Sequence, residues 1–167
     1  DHSLVLTAEG RVVAWGYNNY GQTNIPSGLS NVVAIAAGDG HSLVLTAEGR
    51  VVAWGHNNYG QTNIPSGLSN VVAIVAGSDS HHSLALTAEG RVVGWGYNDF
   101  GQTNIPSGLT NVTVIAAGGW HSLALTAEGR VVGWGENYYG QTNIPSGLTN
   151  AVTIAVGFLQ GAPATKK

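Results

Sequence analysis

The segment HSLVLTAEGRVVAWG, residues 2–16, recurs with few changes at 41–55, 82–96 and 121–135 and constrains the fold more than any other feature. Its tryptophans recur at spacings of 39, 41 and 39 residues, and GQTNIPSGL follows each copy. A period near 40 residues built from strand-like segments is typical of a β-propeller in which each repeat forms one blade. The sequence therefore predicts an all-β propeller with four repeats of 39–41 residues.

Each repeat alternates apolar runs with turn signals. Residues 2–7 and 11–16 are apolar runs on either side of residues 8–10, whose glycine accepts a positive φ and marks a hairpin. Residues 32–38 predict an inner strand, and residues 23–25 are expected to add a short outer strand. No repeat has the ten or more periodic residues of a helix. We therefore expect four-stranded antiparallel blades.

The ends of the chain are offset from the ends of the blades. The chain starts inside a hairpin, and its last apolar run has no hairpin after it, so strand exchange between the ends could close a ring. The expected blade units are about 1–31, 32–70, 71–111 and 112–150, then a final inner strand at 151–157 and a tail or linker at 158–167.

The number of blades in the complete ring stays open. Four blades must splay about 90° apart, against about 45° for eight, and these short blades suit the larger ring better. Three arrangements are possible: a homodimer that completes eight blades, a portion of a longer propeller, and a closed ring of four.

Charge and composition exclude several function classes. A net charge of -3 gives no basic footprint for nucleic acid, and no apolar run approaches the ~18 residues of a membrane helix. The absence of cysteine removes thiol catalysis and thiolate metal sites. No Gly-x-Ser-x-Gly elbow or phosphate-binding glycine loop is present, so we expect no enzyme activity, no metal and no cofactor.

The pattern HSLALT-x-x-G-x-V-x-x-WG-x-N-x-x-GQ, preceded by AAG, resembles the repeat of the regulator of chromosome condensation superfamily over residues 1–157. The repeat length and GQTNIP are similar to the short-repeat bacterial branch that includes propeller-type β-lactamase inhibitors. The resemblance implies a propeller, usually of seven blades, that binds rather than catalyses, and it favours a secreted or extracytoplasmic bacterial protein. The chain lacks the projecting β-wedge that exchanges nucleotide on a small GTPase, so that activity is not implied.

One face of the predicted propeller differs between repeats. In an antiparallel blade, the loop before the hairpin and the loop after it reach the same face, whereas AEGR and NIPSG reach the other. Variable loops on a rigid scaffold carry recognition, and aromatic residues dominate interface hot spots. The candidate partner-binding residues on this face are Tyr17, Tyr20, His56, Tyr59, Tyr97, Asp99, Phe100, Trp120, Glu136, Tyr138 and Tyr139.

Some recurring residues have a structural alternative. The aromatic residues at positions 20, 59, 100 and 139 could pack between blades instead of binding a partner. The strand tryptophans are predicted to form the inter-blade core: Trp15, Trp54, Trp95 and Trp134. A ring of the strand-initial histidines could hold a metal, but hydrogen bonding with the adjacent serines is favoured: His2, His41, His82 and His121.

We therefore predict a non-catalytic scaffold that engages a protein partner through aromatic loops on one face. The alternatives are a lectin-like or small-ligand-binding propeller and a purely structural repeat scaffold.

Overall fold

A computed structural model describes residues 1–77 and 81–157, and the tail predicted at 158–167 lies outside this range. The described residues form eleven β-strands, and no helix among them could cross a membrane. In chain order the strands are β1 (His2–Leu6), β2 (Val12–Gly16), β3 (Val32–Ala37), β4 (His41–Thr46), β5 (Val51–Gly55), β6 (Val71–Ala76), β7 (His82–Thr87), β8 (Val92–Gly96), β9 (Val112–Ala117), β10 (His121–Thr126) and β11 (Val131–Gly135).

The strands form four antiparallel sheets, one for each repeat. The first sheet is β1–β2, the second β3–β4–β5, the third β6–β7–β8 and the fourth β9–β10–β11. In the second sheet, Thr46 and Gly49 close the AEGR hairpin: the amide of Thr46 donates to the Arg50 carbonyl, and that of Gly49 to the Thr46 carbonyl. Gly49 has a φ of 74°, which explains the glycine at this turn.

The expected outer strand at residues 23–25 does not form. The amide of Asn24 donates to the Gly21 carbonyl, and the amide of Ile25 donates to the Thr23 carbonyl. These local turns use backbone groups that a sheet would need for its ladder. Three of the four sheets therefore have three strands rather than four, and the first sheet has two.

The expected inner strand at 151–157 is not a strand in the structure, although it starts as the inner strands do. Asn150 has a φ of 57°, close to the 54° of Asn70 before β6. The amide of Ala151 donates to the Gly129 carbonyl over 3.2 Å, as that of Val71 does to Gly49 over 3.1 Å. What this segment lacks is a hairpin to pair with, because no repeat follows it within the described residues.

The core lies between successive sheets. Val12, Val32, Val44 and Trp54 form one cluster between the first and second sheets. An equivalent cluster around Trp95 lies between the second and third sheets, and another around Trp134 lies between the third and fourth sheets. The apolar residues on both faces of the central sheets are therefore explained by burial against two neighbours.

The first sheet has an uncovered outer face. Trp15 is 53% exposed, whereas its counterpart Trp54 is 8% exposed; Val5 is 43% exposed, whereas Val44 is fully buried. Trp15 is therefore not the inter-blade core residue that was predicted, because no sheet within residues 1–77 and 81–157 packs in front of it. No extensive contact joins the first and last sheets among the described residues. The four sheets form an open arc, not a closed ring of four.

Candidate protein-binding face

A buried polar joint connects each sheet to the next beneath the variable loops. The indole N–H of Trp54 donates to the Gln22 carbonyl over 2.8 Å, and the Ser42 hydroxyl donates to the same oxygen over 2.8 Å. Gln22 is fully buried, as are Gln61 and Gln102. Sequence reasoning did not assign these glutamines a role, although the GQ pair beside a variable loop in every repeat was a signal.

The strand-initial histidines complete these joints. The Nε2 atom of His41 lies 2.9 Å from the Ser83 hydroxyl, and that of His2 lies 2.8 Å from the Ser42 hydroxyl. Each of these imidazoles contacts a serine of the following sheet and not the adjacent serine that was predicted, so a hydrogen-bonding role is observed but with a different partner. Burial, with nearby histidines, lowers the pKa of His41 to about 3. A protonated imidazole is therefore disfavoured in the folded joint.

The variable loops bring eight rings into one continuous row, which we call the aromatic arc. Neighbouring ring centroids lie between 4.3 Å, for Tyr20 and His56, and 6.3 Å, for Tyr97 and Phe100. The row crosses the loops of all four repeats. Its members are Tyr17, Tyr20, His56, Tyr59, His81, Tyr97, Phe100 and Trp120.

The rings of the arc are both packed and exposed. Tyr20 is 50% exposed and Tyr59 49% exposed, while Tyr97 and Trp120 are partly exposed. His56 is buried among them. Tyr20, Tyr59 and Phe100 therefore contact rings of the following repeat and stay at least partly exposed, whereas, among the described rings, Tyr139 contacts only Tyr138 of its own loop. Contiguous apolar surface of this kind is typical of interaction sites.

The loops that carry the rings are held by their own side chains. In the first repeat, the Asn18 side-chain oxygen accepts from the Thr23 amide, and the Gln22 side-chain oxygen accepts from the Tyr20 amide. The same bonds recur in the other three repeats. The backbone under each recurring ring is therefore fixed before any partner arrives, which lowers the ordering cost of binding.

His81 is an arc member that the sequence reasoning missed. Its ring stacks on Tyr59 at 4.9 Å with an interplanar angle of 14°, and its Nε2 atom lies 3.7 Å from an Asp39 carboxylate oxygen. The signal was the longer loop of the third repeat, which places an extra histidine before His82.

The remaining candidates divide between the arc and its end. The Tyr97 hydroxyl donates to the Asp99 carboxylate over 3.2 Å. The pKa of Tyr97 is raised, mainly by burial and to a smaller extent by this hydrogen bond. Tyr138 and Tyr139 contact each other at 4.8 Å and form a separate pair. Glu136 accepts a hydrogen bond from the Gln141 amide. The structure therefore gathers seven of the eleven candidates into the arc, with Asp99 beside them.

Comparisons with known proteins agree with this architecture. The family model described as the regulator of chromosome condensation (RCC1) repeat matches residues 1–22, 32–61, 71–102 and 112–141, which is more than half of the chain. No curated protein sequence matches the chain.

Solved structures with a similar fold include two proteins at 25% identity or more. Human WBSCR16 is 27% identical with a TM-score of 0.67, over 80% of this chain and 44% of that one. Yeast RCC1 (Prp20), solved bound to Kap60, is 25% identical with a TM-score of 0.73, over 90% of this chain and 45% of that one.

A third structure supports the fold alone. The ectodomain of the Physcomitrella patens receptor kinase CR4 is 24% identical with a TM-score of 0.71, over 93% of this chain and 42% of that one. The chain spans less than half the length of each of these three structures. The open arc of all-β sheets is thus part of a propeller fold.

Proposed function

The chain belongs to the family of regulator of chromosome condensation (RCC1) repeats, and from that premise we propose that it is a non-catalytic scaffold that binds a protein partner through the aromatic arc. The observation that carries the proposal is the unbroken row of rings across four repeats, in which every ring except His56 is at least partly exposed. Tyrosine and tryptophan bury large areas while losing few rotamers, which makes them common binding anchors.

Protein binding by the same fold supports this proposal. Yeast RCC1 (Prp20) has been solved bound to Kap60, and a structure of Prp20p was described with its binding properties to Gsp1p and histones. Those partners belong to Prp20. What we extend to this chain is the class of activity, which is recognition of another protein by a rigid propeller face.

Tyr97 and Trp120 are the best single anchors to test. Both belong to the arc, both are partly exposed, and neither recurs at its position in all four repeats. Truncation of a hot-spot aromatic residue costs about 2 kcal/mol or more, which corresponds to a loss of affinity of roughly 30-fold. The double variant should therefore lose nearly all partner capture.

The test is capture from an extract of the source organism on the immobilised chain, with bound proteins quantified by mass spectrometry. The Tyr97→Ala/Trp120→Ala variant should lose proteins that the wild type retains. The matched control is Glu48→Gln/Arg50→Gln in the hairpin turn at the opposite face, which should retain them. Capture that is unchanged by the arc variant would contradict the proposal. A glycan array that binds the wild type, without protein capture, would favour the lectin-like alternative.

We also propose that the uncovered face of the first sheet is covered by a second copy of the chain. Trp15 and Ser3 occupy the positions of Trp54 and Ser42, which in the second sheet are buried against the sheet before them. At the other end, residues 151–157 start as an inner strand does, but the part of the chain that the structure describes contains no hairpin for them to pair with. Two copies joined end to end would make an eight-sheet ring.

The mass of the 167-residue chain in solution tests this pairing. Light scattering should give twice the chain mass of 17.2 kDa, and Trp15→Asp should return the chain to a monomer. A wild-type chain that stays monomeric at high concentration would contradict the pairing. It would instead favour the alternative that further repeats of a longer chain cover this face.

A further inference from the structure

The two ends of the sheets differ in charge. Every arginine follows a glutamate by two residues in a hairpin turn, so the four pairs cancel: Glu9 and Arg11, Glu48 and Arg50, Glu89 and Arg91, Glu128 and Arg130. The other five acidic residues all occur in the sequence segments directly before or after a hairpin, which are the segments that carry the aromatic arc: Asp1, Asp39, Asp79, Asp99 and Glu136. Asp79 and the two lysines of the tail lie outside the described residues.

The arginines are too far from the arc to neutralise its carboxylates. The hairpin turns and the arc lie at opposite ends of strands of five or six residues. Strands of that length span about 17–20 Å, which is more than twice the Debye length of ~8 Å at physiological salt. The arc side therefore keeps a negative potential of its own.

Carboxylates stand directly beside the rings. Asp99 accepts from the hydroxyl of Tyr97, and Asp39 lies 3.7 Å from the imidazole of His81, with its side chain 49% exposed. Rings and partly exposed carboxylates thus share one surface.

We propose that the arc binds a partner segment that presents arginine or lysine side chains. The faces of tyrosine and tryptophan rings are negative, so they attract cations, and a guanidinium group can stack on a ring while it hydrogen-bonds to a carboxylate. Tyr97 and Asp99 offer both groups within one loop. This inference rests on the proposed function and names the chemistry of the partner. An acidic or phosphorylated segment would be repelled by the same carboxylates.

The test uses four fluorescein-labelled 12-residue peptides with the same glycine, serine and leucine background. They carry four arginines, four lysines, four glutamates or no charge, and binding to the full chain is measured by fluorescence anisotropy. The arginine peptide should bind most tightly and the glutamate peptide least. The affinity of the arginine peptide should fall about tenfold between 50 and 300 mM NaCl, because salt screens the attraction between exposed charges.

Isosteric variants separate the charge from the shape of the surface. Asp99→Asn and Asp39→Asn should each weaken the arginine peptide about two- to five-fold and leave the uncharged peptide unchanged. Glu48→Gln, at the opposite face, is the matched control and should change neither. Equal binding of the glutamate and arginine peptides, or an unchanged affinity in both aspartate variants, would overturn the inference.

The inference and the proposed function can fail separately. If Tyr97→Ala abolishes partner capture while the aspartate variants and the salt concentration have no effect, the arc still binds a protein but not through cationic side chains. If Tyr97→Ala and Trp120→Ala leave both the arginine peptide and partner capture unchanged, the arc is not the binding face and both fail.

Discussion

Trp54 and Trp15 occupy the same position in two successive repeats, but only Trp54 has a sheet packed against it. Replacing each with alanine therefore isolates the contribution of the inter-sheet contact. Trp54→Ala removes a side chain that is 8% exposed and the indole N–H bond to the Gln22 carbonyl. Trp15→Ala removes the same atoms from a face that is largely open.

The expected magnitudes differ by more than a factor of two. A buried tryptophan covers about 200 Å², and its replacement by alanine costs about 3–5 kcal/mol. The Gln22 carbonyl keeps its bond from Ser42, so the lost indole bond adds about 1 kcal/mol at most. We expect a loss of about 4 kcal/mol for Trp54→Ala and less than about 2 kcal/mol for Trp15→Ala.

Urea unfolding followed by circular dichroism measures both losses. The protein concentration should be low enough to keep the chain monomeric, so that pairing between copies does not contribute to the stability of the Trp15 face. Trp54→Phe, which keeps a ring but removes the donor, separates the packing loss from the hydrogen-bond loss. Equal losses for Trp54→Ala and Trp15→Ala would refute the reasoning that the sheet-to-sheet contact is the core of this fold.

Three further predictions follow from the joints and the arc. In the unfolded state His41 and His82 bind protons near the ordinary pKa of 6.5, whereas burial lowers the pKa in the folded state to about 3 for His41 and about 4 for His82. The free energy of unfolding should therefore be highest above pH 6.5 and fall as the pH is lowered toward about 3. In acid unfolding followed by circular dichroism, His82→Gln should make this fall less steep. Gly38→Ala should lower the free energy of unfolding by about 1–3 kcal/mol in urea titrations, because its Cβ would lie 2.6 Å from the His41 Nδ1 atom, whereas Gly157→Ala, with open space around it, should have no effect. Tyr138→Ala should leave arginine-peptide binding within about two-fold of wild type, because a surface ring outside the arc adds little to affinity.

The repeat made the sheets predictable, but not every strand. The AEGR turn between two apolar runs is a local signal, so the hairpins at 2–16 and 41–55 follow from the sequence. Residues 23–25 carry an equally plausible strand pattern, yet the glycine and asparagine beside them favour turns that satisfy the backbone locally.

The burial of a repeated residue depends on what lies next to its repeat. Trp15 and Trp54 have the same local sequence and differ in exposure because, within the described residues, a sheet packs in front of Trp54 only. No pattern within the repeat itself can distinguish them. Position in the array, which sets the number of neighbouring sheets, is the missing information.

The candidate face was predictable as a set of residues but not as a geometry. Loop divergence singled out Tyr59 and Tyr97, which lie in different repeats. Their 5.0 Å contact depends on the spacing and twist between sheets, which no local pattern encodes. The same spacing inserts His81 between Tyr59 and His56 and leaves Tyr138 outside the arc.

Hydroxyl-radical footprinting of the chain, alone and with the partner recovered by capture, tests the central claim that the aromatic arc is the binding face. We predict protection of Tyr59, Tyr97 and Trp120 on binding. Val33 and Val72, which are exposed at equivalent positions beside the hairpin turns, serve as internal controls and should be oxidised equally in both states. Protection of Val33 or Val72 with no change at Tyr97 and Trp120 would contradict the claim.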